Sequence, residues 1–378
     1  MRSDAVITRR RVLGAALSEA GIATTLTDRA GAAGNRSLKK AAAQIGLRFG
    51  SESDVDFRAV TPAYGDIFIQ HCDLFAPQTP WSQTARMQFA AEPQWQDANI
   101  LFAREHRMPL TGGHLLWHNS TPLWFDQLPS QSAAENAVAS HIAAMTKRYG
   151  SETYAWNVVN EAIEPRDGRA DGLRNTQLLR KLGPDFIARA FALARQSEPR
   201  ALLVYNDYGF EFARPDEEAR RTALLRLLDR LQSVRAPIDA VGLQSHLRLD
   251  GANFDPEIYR KFLSEIAGRG LAIIISELDV LDVGFTPIVA VRDADVAALY
   301  GAFLDTALDE RAVVALVTWG LVDRYSWLNL QHLPEFTRWD HQPTRPLLFD
   351  NALRPKPAFD AVLTALRNAP PRQNNQSN

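Results

Sequence analysis

Short apolar segments alternate with segments of helical periodicity along almost the whole chain. Eight apolar segments predict buried parallel strands, at residues 47–50, 67–72, 110–117, 154–159, 202–206, 240–244, 271–276 and 313–319. Between them, apolar residues recur every three or four positions among charged ones, which predicts amphipathic helices that include 133–149, 184–196, 217–235, 256–269 and 294–309. This alternation predicts a parallel sheet covered by helices.

The number of units favours one fold over its alternative. Eight strand–helix units over about 330 residues match a single (β/α)8 TIM barrel with long βα loops, a fold that runs from roughly 200 to over 400 residues. A doubly wound open sheet is the alternative, but no glycine-rich phosphate-binding sequence follows the first strand. We therefore expect one barrel domain over residues 35–368.

The two ends of the chain differ from this middle part. The sequence TRRRVLG at 8–14 leads into an alanine-rich stretch, which is typical of a twin-arginine export signal over residues 1–34. A disordered basic N-terminus is the alternative. Residues 369–378 are mostly Pro, Gln, Asn and Ser, and they predict a disordered tail.

Charge and composition exclude several classes of partner. Lys and Arg number 42 and Asp and Glu 44, so the net charge of −2 leaves no excess of cations for nucleic acid. The single cysteine, Cys72, cannot form an internal disulfide. No apolar run approaches the ~20 residues of a membrane span. We expect an exported monomer without a cofactor or metal.

Polar residues collect at the carboxyl ends of the predicted strands. Each one alone would suggest a cap or a satisfied core residue, but they recur strand after strand, at the end that forms the active site of this barrel. The sequences concerned are Trp117-His118, Asn160-Glu161, Asn206-Asp207-Tyr208, Gln244-Ser245-His246, Glu277-Leu278-Asp279 and Trp319.

Two of these residues, Glu161 and Glu277, predict glycoside hydrolysis. That reaction needs one protonated carboxyl for the leaving oxygen and one ionised carboxyl at the anomeric carbon. The mouth is expected to be lined by four indoles that offer flat faces to sugar rings, Trp117, Trp156, Trp319 and Trp327.

Supporting roles follow from neighbouring positions. Asn160 can bind a sugar 2-hydroxyl, a contact that strengthens in the transition state. His246 can hold Glu277 by one ring nitrogen while Asp279 orients the other, which would keep Glu277 ionised. An apolar setting beside Trp117 and Trp156 is expected to raise the pKa of Glu161.

Taken together, the motifs resemble those of glycoside hydrolase family 10. The matching sequences are WNVVNEA at 156–162, NDY at 206–208, VGLQSHL at 241–247, ISELD at 275–279 and TWGLVDRYSW at 318–327, and LGPDFI at 182–187 is similar to the family's fourth helix. They occur in the family's order between about residues 45 and 366.

The resemblance implies an endo-β-1,4-xylanase that retains anomeric configuration. It implies that Glu161 is the general acid/base, that Glu277 is the nucleophile and that Asn160 binds the 2-hydroxyl. Further substrate-binding or supporting residues are then Gln244, His246, Asp279, Trp117, His118, Tyr208, Trp319 and Trp327.

Two stretches depart from the family pattern. The family's Glu-Asn-x-x-Lys-Trp segment after strand two is replaced by residues 76–83, which lack the lysine and asparagine, and Trp81 is displaced. In strand three, Gly113 stands where the family has its first histidine. His114 comes one residue late and would point to the opposite face unless a bulge corrects it.

Because both departures fall in the subsites for the non-reducing side, alternatives remain open. The substrate can be xylan, or another β-glycan such as a bacterial exopolysaccharide. A non-catalytic carbohydrate-binding protein is a second reading, and a metal-dependent barrel hydrolase is a third, although the chain has no His-x-His pair. Trp339 can either stack on a distal sugar or merely pin its loop.

Overall fold

The computed structural model describes residues 36–372, apart from 54, 83–94, 252, 285 and 332. The predicted signal, 1–34, lies outside the described residues. The strands are β1 Arg48–Glu52, β2 Leu74–Ala76, β3 Leu110–Gly112, β4 Leu116–Trp117, β5 Thr153–Asn160, β6 Leu202–Asp207, β7 Ala240–Leu243, β8 His246–Arg248, β9 Ala272–Leu281 and β10 Val313–Thr318. The helices are α1 Leu38–Gln44, α2 Pro62–His71, α3 Trp95–Glu105, α4 Gln131–Tyr149, α5 Gln177–Leu182, α6 Phe186–Ser197, α7 Pro215–Ser233, α8 Pro256–Ala267, α9 Val289–Ala307, α10 Trp327–Leu330 and α11 Pro357–Asn368.

Eight strands form a closed parallel barrel. Their order is β1-β2-β3-β5-β6-β7-β9-β10, and β10 pairs with β1 to close the ring. The short strands β4 and β8 add to the rim by pairing with β5 and β9. The predicted (β/α)8 barrel is confirmed, and a sheet that closes on itself excludes the doubly wound alternative.

The barrel interior is filled by small and branched side chains. A separate buried cluster there consists of Leu74, Ala76, Ala155, Val204, Ala240, Ile274, Ala315 and Val317. A much larger apolar cluster lies between the strands and the helices. Helix α8 begins where local chemistry predicts: Asp255 accepts hydrogen bonds from the backbone N–H groups of Glu257 and Ile258, ahead of Pro256 in the first turn.

The prediction of the second strand was wrong. Residues 67–72, read as a strand, belong to α2 except for Cys72, and the strand is the three-residue β2. The helix starts at Pro62, and its buried residues Tyr64, Ile67, Phe68 and His71 are spaced for one helical face. A three-residue strand is too short to produce a recognisable alternation.

Arg372, the fourth residue of the predicted tail, binds the barrel through hydrogen bonds. The Arg372 guanidinium donates to the carbonyl oxygens of Val313 (2.9 Å) and Leu308 (3.1 Å), and its backbone N–H donates to Ile45 O at 2.8 Å. Composition alone does not reveal that this arginine binds buried backbone carbonyls of the barrel. Among the described residues, no helix has the length and hydropathy that spanning a membrane requires.

Two strands are broken at their carboxyl ends by left-handed residues. Gly112 (φ 86°) and Gly113 (φ 64°) separate β3 from β4, and Ser245 (φ 59°) lies between β7 and β8. Each break re-aims the residue that follows it. Those residues are the histidines His114 and His246, and both face the barrel mouth.

Candidate active site

The carboxyl ends of the strands open into a groove of about 1000 Å³. Of the eleven residues predicted for the site, all except His118 line it: Trp117, Asn160, Glu161, Tyr208, Gln244, His246, Glu277, Asp279, Trp319 and Trp327. The sequence therefore identified the residue types that converge, although they come from strands far apart in the chain.

Glu161 is fixed by both its backbone and its side chain. Its backbone is left-handed (φ 55°), and it is anchored because Glu161 N donates to Asn206 O at 2.9 Å and Arg174 Nε donates to Glu161 O at 2.9 Å. In the side chain, Oε2 accepts from Trp117 Nε1 at 2.8 Å and Oε1 accepts from Gln244 Nε2 at 3.1 Å. The carboxyl thus has a single defined orientation at the groove.

The surroundings of Glu161 raise its pKa above the ordinary value. Burial is the main cause, and the negative charges of Asp207 and Glu277 add to it, against the hydrogen bonds from Gln244 and Trp117. The expected direction is confirmed, but the indole of Trp117 acts in the opposite sense, because its N–H stabilises the ionised carboxylate. A raised pKa suits a group that must donate a proton.

Glu277 has the opposite electrostatic setting. Its side chain is almost fully buried, and Oε1 accepts from Asn206 Nδ2 at 2.8 Å while Oε2 is 3.1 Å from His246 Nε2. The His114 imidazole lies 3.8 Å from Oε1, which is an electrostatic contact rather than a hydrogen bond. Burial opposes ionisation, but the two histidines outweigh it and lower the pKa of Glu277 to about 2.

His246 bridges two carboxylates, as the sequence suggested. Its Nδ1 is 3.0 Å from Asp279 Oδ1, and its Nε2 is the atom that reaches Glu277. Burial would lower the pKa of this histidine, but Asp279 and Glu277 together raise it well above its ordinary value. An imidazolium can donate from both nitrogens, so it holds Glu277 ionised. Trp327 Nε1 donates to the other oxygen of Asp279 at 2.7 Å.

His114 reaches the site through a bulge. A regular strand would have pointed it to the other face, but the left-handed pair Gly112 and Gly113 inserts the irregularity that the sequence left open. A side chain at Gly113 would lie 3.2 Å from Trp156 Cζ3 and 3.3 Å from Thr79 Oγ1. The bulge therefore needs glycine there for both conformation and space.

A network of amides joins the two carboxyls, and its central member, Asn206, was not among the predicted site residues. Its Nδ2 donates to Asn160 Oδ1 and to Glu277 Oε1, both at 2.8 Å, and its Oδ1 accepts from Ser276 Oγ. Asn160 Nδ2 continues the network to Glu161 Oε1 at 3.1 Å. The available signal was a polar residue near the end of the apolar strand β6, two positions before the predicted Tyr208.

One wall of the groove is braced by arginines that sequence reasoning also missed. Arg174 donates to the Tyr208 hydroxyl at 2.9 Å, and the Arg220 guanidinium lies 4.3 Å from the centre of the Tyr208 ring. Tyr208 is therefore a rigid aromatic surface beside Glu161. Because Arg174 also holds the backbone of Glu161, it links this wall to the carboxyl.

Two predicted placements need correction. Trp156 does not line the mouth: it is 2% exposed and packs between strands and helices, because Ala155 takes the inward position and side chains alternate along β5. His118 lies in a short 3-10 helix beyond β4 and does not line the groove. Burial beside Arg174 lowers the pKa of His118 to about 4.

The altered segment after β2 contributes to both core and groove. Trp81 is buried and stacks on His141, with ring centres 4.5 Å apart, so it is a core residue. Gln78 lines the groove and donates from Nε2 to Glu52 Oε1 at 3.2 Å. The end of this segment, Gln83, lies outside the described residues.

The geometry matches what glycoside hydrolysis requires. One carboxyl has a raised pKa and faces the groove beside an aromatic wall, and the other is held ionised by histidines. Pairs of titratable groups whose surroundings move their pKa values apart mark acid and base roles. The amide network between them offers hydrogen bonds to the ring that would lie across both carboxyls.

Comparisons with known proteins agree with this geometry. The family model of Glycosyl hydrolase family 10 matches residues 37–365. Endo-1,4-beta-xylanase B of Thermotoga neapolitana is 28% identical over 335 residues, which cover 86% of this chain and 90% of that protein. Endo-1,4-beta-xylanase A of Thermoanaerobacterium saccharolyticum is 32% identical over 71% of this chain, but the match spans only 22% of that longer protein.

Solved structures also resemble the barrel. Native xylanase 10B from Thermotoga maritima superposes with a TM-score of 0.76 at 26% identity, covering 87% of this chain and 98% of that chain. The similarity therefore extends over the whole barrel and is not limited to the motifs at the strand ends.

Proposed function

The chain belongs to glycosyl hydrolase family 10, and from this premise we propose that it is an endo-acting hydrolase that cleaves β-1,4-linked xylan with retention of configuration. Relatives that match most of their own length carry the name endo-1,4-beta-xylanase, which favours xylan over another β-glycan. The observation that carries the proposal is the pair of opposite pKa shifts, raised at Glu161 and lowered at Glu277.

In the first step, Glu277 is the nucleophile. Its carboxylate bonds to the anomeric carbon while Glu161 transfers its proton to the departing glycosidic oxygen. The saccharide on the reducing-end side of the cut leaves as an alcohol, and a covalent glycosyl-enzyme remains. His246 and Asn206 hold the Glu277 carboxylate in place for the attack, and Asn160 is available to the 2-hydroxyl of the ring being cleaved.

In the second step, Glu161 acts as the base. It has lost its proton, so it takes one from a water molecule, and the oxygen of that water displaces Glu277 from the anomeric carbon. Two inversions give net retention. Loss of the negative charge on Glu277 in the intermediate removes one of the causes that raise the pKa of Glu161, so the carboxylate form needed for this step is favoured.

The altered segments bear on which sugars are recognised. Gln78 and His114 line the groove, and we assign them to the subsites before the cut, which lack the family's lysine and asparagine. A neutral amide at that place offers hydrogen bonds to hydroxyls but no charge. We expect weaker binding of the distal non-reducing sugar than a lysine would give, with the bond-breaking centre unchanged.

Two further parts of the proposal come from the sequence. We infer that residues 1–34 direct export by the twin-arginine route, so that the enzyme works where polysaccharide is found. We also propose that the enzyme works as a monomer, because the groove is completed by this chain's own residues.

The central experiment removes the nucleophile. Purified protein is incubated with β-1,4- and β-1,3-linked polysaccharides, and products are identified by mass and by NMR of the anomeric proton. We expect xylan to yield oligosaccharides of retained β-configuration, Glu277→Ala to release none, and azide to restore cleavage with inversion. If the parent and the variant bind xylan equally and neither cuts it, the protein is a binding module and the proposal fails.

A further inference from the structure

Trp339 exposes its indole on the loop that follows β10. The side chain is 63% exposed, the largest exposed fraction of any described tryptophan. Its Nε1 donates to Gly284 O at 3.3 Å, so the polar edge of the ring is bonded and its position is defined. The chain thus presents a large apolar ring surface to solvent at a fixed place.

The loop does not need Trp339 to hold it. The adjacent Arg338 is 1% exposed, and its guanidinium donates to Thr286 O and to Asp340 Oδ2, each at 2.8 Å. It also donates to Asp282 O, and Asp282 in turn accepts from Arg292 Nε at 2.7 Å. Since this buried cluster fixes the loop, pinning does not account for the exposed indole.

The hydrogen bond to Gly284 places Trp339 next to a second cleft. The cleft measures about 480 Å³, and Gly284, which accepts the Trp339 hydrogen bond, lines it together with Arg248, Asn253, Asp295 and Arg338. Arg248 also lines the active-site groove. The two depressions therefore share Arg248 as a lining residue, and we call the second one the lateral cleft.

We propose that Trp339 and the lateral cleft form a second saccharide-binding site, which takes a stretch of the polysaccharide outside the active-site groove. An indole face packs against the apolar face of a pyranose ring, and the polar side chains of Arg248, Asn253 and Asp295 offer hydrogen bonds to hydroxyls. The inference rests on the proposed function for the identity of the sugar.

The chemistry of the cleft favours a neutral sugar. Its basic residues are matched by acidic ones: Arg248 donates to Asp250 at 3.3 Å, and the buried arginines Arg292 and Arg338 are paired with Asp282 and Asp340. No uncompensated positive charge is present among the described residues of the cleft to attract an anion. A second site for the polymer would keep the enzyme on an insoluble chain between cuts.

Binding to insoluble xylan tests the proposal. The full chain carrying Glu277→Ala binds without cutting, and its depletion from solution gives a dissociation constant. Adding Trp339→Ala is expected to raise this constant about fivefold to tenfold, whereas Trp339→Phe keeps a ring face and most of the affinity. Trp124→Ala is the matched control, since it removes an indole that is 43% exposed but lies elsewhere, packed against Trp81 and Phe125 instead of Gly284.

Kinetics separate this inference from the proposed function. In the otherwise unaltered enzyme, Trp339→Ala should lower the ratio of kcat/KM on polymeric xylan to kcat/KM on xylotriose about fivefold, and Trp124→Ala should leave this ratio unchanged. An unchanged ratio and unchanged binding in Trp339→Ala would overturn the second site while xylanase activity stands. If the unaltered enzyme cuts no xylan, the proposed function has failed instead.

Discussion

Gly242 is the residue at which a single methyl group should disable the catalytic centre without touching substrate. It lies on β7 inside the barrel, and a Cβ atom there would be 2.1 Å from Asn206 Oδ1 and 3.2 Å from Val204 Cγ1. A non-bonded carbon and oxygen cannot approach to 2.1 Å, so in Gly242→Ala the Asn206 amide must move. That amide is the donor to both Glu277 and Asn160.

The size of the effect follows from the hydrogen bond that the displaced amide would break. A hydrogen bond to a charged group contributes about 1.5–3 kcal/mol, so displacing Asn206 from Glu277 should lower kcat/KM roughly 10- to 150-fold. Overpacking a well-filled interior should cost about 1–3 kcal/mol in the free energy of unfolding. Both effects come from one clash between Gly242 and Asn206.

A double-mutant cycle isolates that clash. Asn206→Ala should lose activity to a similar degree, and it vacates the space that the new methyl group needs. Adding Gly242→Ala to Asn206→Ala should then cost little further activity or stability, so the two substitutions are strongly non-additive. Activity is measured on xylan and stability by urea unfolding. Gly301→Ala is the control, because a Cβ at Gly301 on α9 meets nothing within 4 Å.

Two results would refute this reasoning. Gly242→Ala with the activity of the unaltered enzyme would mean that the Asn206 position does not matter for Glu277. Full additivity of Gly242→Ala and Asn206→Ala would mean that the methyl group acts somewhere other than on Asn206.

Three further predictions concern the carboxyls and the bulge. Glu161→Ala should lower kcat/KM on xylan about 10²- to 10⁴-fold but spare the release of dinitrophenolate, a leaving group that needs no proton. The assay compares kcat/KM over a series of aryl glycosides. Equal losses of kcat/KM for good and poor leaving groups would contradict the acid role. Because the pKa of Glu277 falls from its ordinary 4.5 to about 2, its ionisation stabilises the fold above pH 4.5 and this stabilisation is lost as the pH falls towards 2. The difference in unfolding free energy between the unaltered enzyme and Glu277→Gln should therefore shrink by about 3 kcal/mol over that range in urea titrations, and a constant difference would disprove it. Gly113→Ala should lower the free energy of unfolding more than Gly270→Ala, because Gly270 has similar backbone strain (φ 73°) but a Cβ there meets no atom within 4 Å. Of the two variants, only Gly113→Ala should lower kcat, because it moves His114. Equal effects of the two substitutions on unfolding and on kcat would argue against the bulge.

The fold could be predicted because its signal is repeated. Each strand–helix unit repeats the same alternation of apolar and amphipathic segments. Placing the second strand in what proved to be α2 therefore did not change the predicted number of units or the predicted barrel. The polar residues at the strand ends were predictable for a related reason: a carboxylate such as Glu161 interrupts an otherwise apolar segment, and such interruptions recur at the same end of several strands.

Details that depend on neighbouring strands could not be predicted from the sequence. Trp156 is an aromatic residue close to Glu161 in the chain, but whether it faces the mouth or the helices depends on the pleat of β5. Asn206 gains its role from the register that sets Asn206 beside Asn160 on one side and Gly242 on the other. A pattern along one strand contains no information about its partner's register.

The two histidines show why backbone irregularity matters most at the catalytic centre. A regular strand alternates its side chains strictly, so it cannot both continue the barrel and turn a chosen residue towards the groove. The left-handed residues Gly113 and Ser245 break that alternation immediately before His114 and His246, at the two strands that supply imidazoles to Glu277. The low pKa of the nucleophile is therefore a consequence of backbone geometry as much as of residue type, because the bulge brings His114 to 3.8 Å from Glu277 Oε1.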